Sequence, residues 1–214
     1  TDSAVIDFWF KEFQPLTPQL KNEFIAPIVN KLGLFSTHPL LRNIIGQQTS
    51  AISFSEIMNT KKIFIANLAK GLLGEAGTQF LGSLLISQFQ IASLQRINLP
   101  MQSRVNFYLY VDEMHSFVTL SFADILSESR KFGLGLFLTH QFMDQLKEEL
   151  PKAVLGNVGT LISFRVGSSD ARLLEVEFAP TFSKEDLIAL PKYHIYLKLL
   201  IDGATSQPFS ATTN

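Results

Sequence analysis

Two apolar segments that end in polar residues constrain the fold of this chain more than any other feature. Phe107–Val111 is followed directly by Asp112 and Glu113, and Leu134–Leu138 is followed by Thr139–Gln141. Continuous runs of bulky residues are typical of strands that are buried in a parallel sheet. The residues between the two runs are numerous enough for the helical crossover that parallel strands require. The sequence therefore predicts two neighbouring parallel strands in an α/β domain.

The polar residues at these strand ends predict chemistry on a phosphate. Open α/β sheets bind ligands at the carboxyl ends of their strands. There, Asp112 could hold Mg²⁺ and its waters, Glu113 could polarise a water that attacks a terminal phosphate, and Gln141 could reach the same phosphate. A plainer interpretation is that Asp112 and Glu113 only begin a helix, where acids are favoured. The second polar strand end, Thr139–Gln141, favours the catalytic interpretation.

Composition excludes several other classes of site. The net charge of −1 provides no overall field that would attract nucleic acid, so any DNA contact must be local. The absence of cysteine excludes disulfides and thiolate metal sites and fits a reducing compartment. His115 and His140 lie near the strand ends, but four scattered histidines lack the spacing of a metal site. Only 17% of residues are charged and 19 are Phe, which indicates either a surface covered by partner subunits or simply an apolar domain.

Periodicity predicts a helical segment over residues 1–58, with one helix ended by Gly33, and an α/β part over residues 59–214. The α/β part should form a mostly parallel sheet with helices on both faces. No uninterrupted apolar run is long enough to span a membrane and no signal peptide opens the chain, so we expect a soluble protein. The further predicted elements are a strand at Lys62–Leu68, helices at 75–96, 121–131 and 142–155, a central strand at 159–166, a helix capped by Ser168–Asp170, and a strand at His194–Ile201 that turns at Asp202-Gly203 into a hairpin.

The phosphate-binding loop expected beside such a site does not occur in the sequence. No G-x-x-x-x-G-K-[ST] motif is present, and the nearest imitation, Lys70–Glu75, has its lysine at the wrong end. A phosphate cradle needs successive backbone N–H groups and a lysine at a helix N-terminus. Because the chain opens at Thr1 directly in a helical pattern, we expect that the loop lies upstream. The alternative is that the protein is not an ATPase.

Several segments together resemble the HerA/TraG-like conjugative coupling ATPases, the DNA-transfer motors of type IV secretion. The similarity covers roughly residues 40 to 212. It rests on Phe107–Glu113, residues 122–134, Thr139–Gln141, residues 156–160, Phe164–Gly167 and Asp170-Ala171, with further similarity at residues 67–71 and 81–85. The resemblance implies a RecA-like P-loop NTPase core in a hexameric, ATP- and Mg²⁺-dependent DNA translocase. It also implies that residues 1–58 end an all-α insertion and that the isolated chain, lacking the loop, binds ATP poorly.

The resemblance assigns roles to individual residues. Asp112 and Glu113 match the Walker B pair, with Asp112 holding Mg²⁺ through water, and Gln141 matches the phosphate-sensing glutamine. Arg130 matches the arginine that coupling proteins insert into the neighbouring subunit's site, although near a helix end it could equally be a solvated residue. Arg165, which we predict inside an apolar strand, is the second candidate for this role.

The resemblance also implies partners and a location. DNA and the type IV secretion or conjugation machinery are the expected partners, with any membrane contact made by regions outside this chain. The expected location is the cytoplasm, or the inner face of the cell membrane for the full-length protein. Lys70 and Lys152 are DNA-contact candidates, but they are equally well explained as surface lysines. The competing hypotheses are a non-catalytic assembly domain with the same fold and a motor that moves protein.

Overall fold

The computed structural model describes residues 2–118, 122–146 and 149–213. Two compact units can be distinguished in it. The first contains the chain up to Ser53 together with Ala66–Leu81, and the second contains Phe54–Ile65 and the chain from Gly82 onward. The described residues include no helix that combines the length and the apolar character needed to cross a membrane.

The first unit is helical, as predicted. Its small core is formed by Leu41, Leu73 and Leu81, and the buried Thr78 hydroxyl donates to the Leu68 carbonyl at 3.1 Å. Its elements are α1 (Ser3–Asp7), a π-helical turn (Phe8–Phe13), α2 (Pro18–Thr37), α3 (Pro39–Ile45) and the first part of a long helix that continues into the second unit.

Two predictions for the region before the sheet are wrong. Gly33 does not end a helix, because α2 continues through it and Gly33 is not among the glycines with positive φ. Lys62–Leu68 is not a strand. Its alternation is real, since Phe64 packs on Phe54 and Phe89 while Ile63 and Ile65 are more than four-fifths exposed. However, a strand needs a hydrogen-bonded neighbour, and no described segment pairs with this one.

The second unit alternates helices and strands. Its α-helices are α4 (Phe54–Asn59), α5 (Lys70–Leu94, of which residues from Gly82 belong here), α6 (Phe122–Glu128), α7 (Leu150–Asn157), α8 (Ser168–Phe178) and α9 (Lys184–Ala189). Its strands are β1 (Phe107–Val111), β2 (Leu134–Leu138), β3 (Leu161–Ser163), β4 (His194–Lys198), β5 (Leu200–Ile201), β6 (Ala204–Thr205) and β7 (Phe209–Thr212). Short 3₁₀ turns lie at Gln95–Asn98, Met101–Ser103, Met114–Ser116, Ser129–Phe132 and Met143–Gln145.

The predicted parallel pair is confirmed. β1 runs parallel to β2, in a register that places Phe107 opposite Leu134 and Val111 opposite Leu138. One face of the pair packs on a core that includes Ile86 of α5, with further residues from α6 and α7. On the other face the aromatic side chains are largely exposed, namely Tyr108 at 54%, Tyr110 at 69% and Phe137 at 49%. Among the described residues, helices therefore cover one face of this pair.

The remaining strands pair antiparallel. β4 lies between β3 and β7, and α8 and α9 pack on this sheet through a core that includes Phe178, Leu187 and Tyr196. The predicted central strand at 159–166 is therefore shorter, and it does not pair with β1 or β2. The predicted hairpin is confirmed, with Asp202 and Gly203 both at positive φ between β5 and β6. Two positive φ values are what a type I′ turn requires.

Of three predicted helix boundaries, two are confirmed and one is wrong. The helix predicted to begin near Glu75 is confirmed, because Gly74, with a non-helical φ of 68° and ψ of 168°, separates it from a short helical segment that begins at Lys70. The helix predicted at 142–155 is a 3₁₀ turn followed by α7, because Pro151 is compatible only with the first turn of a helix. The predicted end at Gly133 is confirmed, since this glycine has a φ of 72° directly before β2.

Candidate active site

The carboxyl ends of β1 and β2 are joined by backbone hydrogen bonds beyond the strands themselves. The Thr139 N–H donates to the Val111 carbonyl at 3.0 Å, and the Met114 N–H donates to the Thr139 carbonyl at 2.9 Å. These two bonds hold the segment with Asp112 and Glu113 against the end of β2. The polar residues that follow the two strands are thereby brought together, as the sequence predicts.

Asp112 follows β1 directly, and its side chain is exposed to solvent. One carboxylate oxygen, Oδ1, accepts hydrogen bonds from the Thr139 hydroxyl and from the Glu113 N–H, the latter at 3.1 Å. These bonds orient the carboxylate while Oδ2 accepts no hydrogen bond from a described residue. The carboxylate therefore has the orientation and the free oxygen that an Mg²⁺ ion or one of its waters needs.

Glu113 has a left-handed backbone, with φ 51° and ψ 49°, which is uncommon outside glycine and asparagine. Its Oε1 accepts a hydrogen bond from the Gln141 amide nitrogen, across the gap between the two strand ends. Its Oε2 lies 3.3 Å from His115 Nδ1. Strained backbone of this kind is found preferentially at functional sites. Here it accompanies a carboxylate whose two oxygens face different partners.

A buried carboxylate, that of Asp170, lies near these acids. Asp170, which is only 4% exposed, accepts the Met143 N–H with both carboxylate oxygens at 3.1 and 3.2 Å. The Ser169 hydroxyl donates to Asp144 Oδ2 at 2.8 Å. The start of α8 therefore holds the turn that follows Gln141. Our prediction that Ser168–Asp170 cap α8 is wrong, because Gly167 occupies the cap position and the Asp170 carboxylate is bonded to Met143 instead.

His140 lies near Asp170 and Glu113 and is half-buried. Burial lowers the pKa of its imidazole, and His115 acts in the same direction, whereas Asp170 and Glu113 oppose this shift. Its Nδ1 is buried and has no hydrogen-bonding partner among the described residues. The neutral form of His140 is therefore favoured beside the acids.

Arg130 lies at the other end of the strand pair. It is exposed, in the 3₁₀ turn that leads through Gly133 into the amino end of β2. Two arginine side chains are hydrogen-bonded to the backbone of this turn. Arg96 Nη1 donates to the Phe132 carbonyl at 2.9 Å, and Arg104 Nη1 donates to the Lys131 carbonyl. A five-residue strand spans about 16 Å, so Arg130 is separated from the acids of its own chain by roughly the length of β2.

The other predicted site residues lie on the surface. Arg165 is exposed beyond the end of β3, so the prediction that it lies inside a strand is wrong. Lys70 is exposed at the start of α5 in the first unit, and Lys152 is exposed on α7. The interactions described for residues 2–118, 122–146 and 149–213 include none for these three side chains. Their roles stay predictions.

Metal binding at this site would depend on few protein ligands. Within the described ranges no group of three His, Cys, Asp or Glu side chains is placed to hold a metal ion. That arrangement suits Mg²⁺, which typically keeps several waters and binds one or two carboxylates together with substrate phosphates. Asp112, with its oriented carboxylate, fits this requirement.

Sequence reasoning did not predict three contacts of the site, namely those made by Thr139, by Asp170 and by His115 with Glu113. Thr139 could have been found, because it occupies the same strand end as Gln141. Asp170 could not, because its bond to Met143 connects positions that only the packing of α8 brings together. The side chain of His115 reaches Glu113 only because a 3₁₀ turn begins at Met114.

Comparison with known proteins identifies the fold. No protein-family model matches the chain, and a search of curated proteins finds no match. The unbound bacterial conjugative coupling protein TrwB, lacking its first 70 residues, matches with a TM-score of 0.53 and 15% identity. Over about two-thirds of its length, the chain has the fold of TrwB. The match covers 65% of this chain and 38% of TrwB.

Two further structures are similar. TrwB in complex with ADP and Mg²⁺ matches with a TM-score of 0.52 and 16% identity, over 64% of this chain and 37% of TrwB. The genome-packaging NTPase B204 of Sulfolobus turreted icosahedral virus 2, in complex with ATPγS, covers 86% of this chain and 89% of its own. Its 17% identity and TM-score of 0.46 do not establish a common fold. The TrwB matches confirm the predicted RecA-like α/β fold.

Proposed function

We propose that this chain is the catalytic-acid and sensor part of an ATP-driven DNA translocase, of the kind that couples DNA transfer to conjugation or type IV secretion. One observation carries the proposal. Asp112, Glu113 and Gln141 meet at the carboxyl edge of a parallel strand pair, and Gln141 is hydrogen-bonded to Glu113. The acids and the amide come from two strand ends, so a single helix N-terminus does not account for them.

The geometry supports a division of labour between the acids. Asp112 is exposed and oriented by Thr139, and it would hold Mg²⁺ with ATP. Bound Mg²⁺ supplies charge neutralisation on the phosphate oxygens. Glu113 is less exposed and held by Gln141, so that it can accept a proton from a water directed at the terminal phosphate. Gln141 contacts Glu113 and would also contact the phosphate, which would make the position of Glu113 sensitive to the nucleotide.

The position of Arg130 supports a multi-subunit enzyme. Because Arg130 lies at the amino end of β2, it can reach a site like this one only on another subunit. We propose that Arg130 completes the neighbour's site in a homo-oligomer such as a hexamer. Arg165 is the alternative candidate for this role. Lys70 and Lys152 are candidate DNA contacts.

The absence of a phosphate-binding loop from the sequence raises a second candidate function, that of a non-catalytic assembly domain. A chain without the G-x-x-x-x-G-K-[ST] sequence lacks the backbone cradle that provides most phosphate contacts. We propose that another segment or subunit supplies this loop and that the 214 residues alone bind ATP weakly. If nothing supplies it, the chain is a non-catalytic assembly domain. A motor that moves protein rather than DNA would have the same site.

The test is hydrolysis by the assembled protein, meaning this chain with whatever supplies the phosphate-binding loop. Glu113→Gln should lower kcat by about 10²- to 10⁴-fold, because it removes the general base, while ADP affinity changes little. Glu149→Gln, at an exposed glutamate just before α7, is the matched control and should leave the rate unchanged. A rate for Glu113→Gln within a few-fold of wild type would contradict the assignment. No hydrolysis by the wild type would favour the assembly domain.

A further inference from the structure

Two buried polar atoms beside the candidate active site face each other without hydrogen-bonding partners. Glu113 Oε2 and His115 Nδ1 are 3.3 Å apart. Neither atom forms a hydrogen bond with any residue in the described part of the chain. Buried polar atoms in native proteins are nearly always paired, so two unpaired atoms at this distance need an explanation.

The Ser116 hydroxyl can set the position of the hydrogen on the His115 ring. The other ring nitrogen, Nε2, lies 3.3 Å from the Ser116 hydroxyl. A hydroxyl that donates to Nε2 leaves the hydrogen of a neutral imidazole on Nδ1. That hydrogen then faces the Glu113 carboxylate, so the contact requires no protonation of the ring.

The turn that carries His115 is firmly anchored. Met114 is completely buried, and its N–H donates to the Thr139 carbonyl at the end of β2. The left-handed backbone at Glu113 precedes this turn, so that the Glu113 and His115 side chains approach each other. The imidazole is therefore held in place by the same strand end that positions Gln141.

We propose that His115 is a positioning residue for Glu113, an inference that rests on the proposed function. Gln141 donates to Oε1, and His115 Nδ1, which lies 3.3 Å from Oε2, would donate to that oxygen after a small shift, so that the carboxylate is held from both sides and cannot rotate away from the attacking water. Catalytic hydrogen bonds are often long or poorly aligned without substrate and tighten in the reacting complex. The 3.3 Å contact would become such a bond when nucleotide binds.

Two substitutions separate this role from simple packing. The amide nitrogen of asparagine can occupy the place of Nδ1, whereas that of glutamine lies nearer the place of Nε2. In the assembled protein, His115→Asn should keep kcat within about 3-fold of wild type. His115→Gln should lower kcat by about 10- to 100-fold, as expected for the loss of a hydrogen bond to a charged group. ADP affinity, measured by calorimetry, should be unchanged in both variants.

Glu113→Gln, assayed in parallel, distinguishes failure of this inference from failure of the proposed function. If Glu113→Gln is inactive but His115→Gln turns over at the wild-type rate, the role of His115 is wrong and the proposed function stands. Equal losses in His115→Asn and His115→Gln would show that the ring acts through packing, which also overturns the inference. A wild-type rate in Glu113→Gln overturns both ideas.

Discussion

Arg96 offers the clearest test of what stabilises the second unit. Its side chain is 1% exposed. Nη1 donates to the carbonyls of Val105 and Phe132 at 2.8 and 2.9 Å, and Nε donates to Asn59 Oδ1 at 3.0 Å. The guanidinium therefore ties α4 and the end of α5 to the segments that precede β1 and β2. Arg96→Met keeps most of the volume and removes all three bonds.

The expected loss of stability follows from these contacts. A hydrogen bond made by a charged group contributes about 1.5 kcal/mol or somewhat more, so three contribute about 4.5 kcal/mol. About 1 kcal/mol of this is offset, because Nη2 is buried without a described partner and a buried cation is costly. Burial, with the charge of Arg104, also lowers the pKa of Arg96, in line with that cost. We therefore expect Arg96→Met to destabilise the unit by about 3 to 4 kcal/mol.

Urea unfolding can assign this loss to the second unit. All four tyrosines lie in that unit and the single tryptophan, Trp9, lies in the first, so tyrosine fluorescence reports the transition of interest. With a urea m-value of about 2 kcal/mol/M, the midpoint should fall by about 1.5 to 2 M. The matched control is Arg172→Met, at an exposed arginine of α8, which should change stability by less than about 0.5 kcal/mol. A loss below about 1 kcal/mol for Arg96→Met, at an unchanged m-value, would refute the reasoning.

Two further predictions concern the candidate site. If Arg130 acts on a neighbouring subunit as proposed, mixing inactive Arg130→Ala subunits with inactive Glu113→Gln subunits should restore hydrolysis. No recovery after confirmed subunit exchange would show that Arg130 does not act in trans. The pKa of His140 is lower in the folded state than the ordinary histidine value of 6.5. Below pH 6.5 the unfolded chain therefore binds more protons than the folded chain, and lowering the pH should destabilise the fold. The melting temperature should fall with pH until the folded-state pKa is passed, and less so in His140→Asn; identical profiles would contradict this.

The parts of the fold that were predicted correctly depend on short-range rules. β1 and β2 were recognisable as apolar runs, and Gly133 and Asp202-Gly203 were recognisable as a helix end and a hairpin turn. In each case the decisive feature lies within a few residues, either in the sequence of side chains or in a backbone conformation that glycine favours. The meeting of Asp112, Glu113 and Gln141 follows from one further rule, that parallel strands end at the same edge.

Three of the wrong predictions depended on a partner that is remote in the sequence. Lys62–Leu68 has the alternation of a strand but no neighbour in the described residues, and Arg165 lies beyond a strand that pairs only with β4. Asp170 resembled a helix cap, but the packing of α8 brings it to the Met143 N–H. No local pattern carries that information.

The sequence by itself determined the two strands, their parallel pairing and the acids and amide at their ends, because side-chain periodicity and turn chemistry act over a few residues. Only the tertiary structure decided that His115 faces Glu113, that Arg96 ties together the segments before β1 and β2, and that Arg130 lies a strand length away from the acids of its own chain. These relations depend on which distant segments pack together. Burial of the whole core selects that packing, and no single stretch of the chain specifies it.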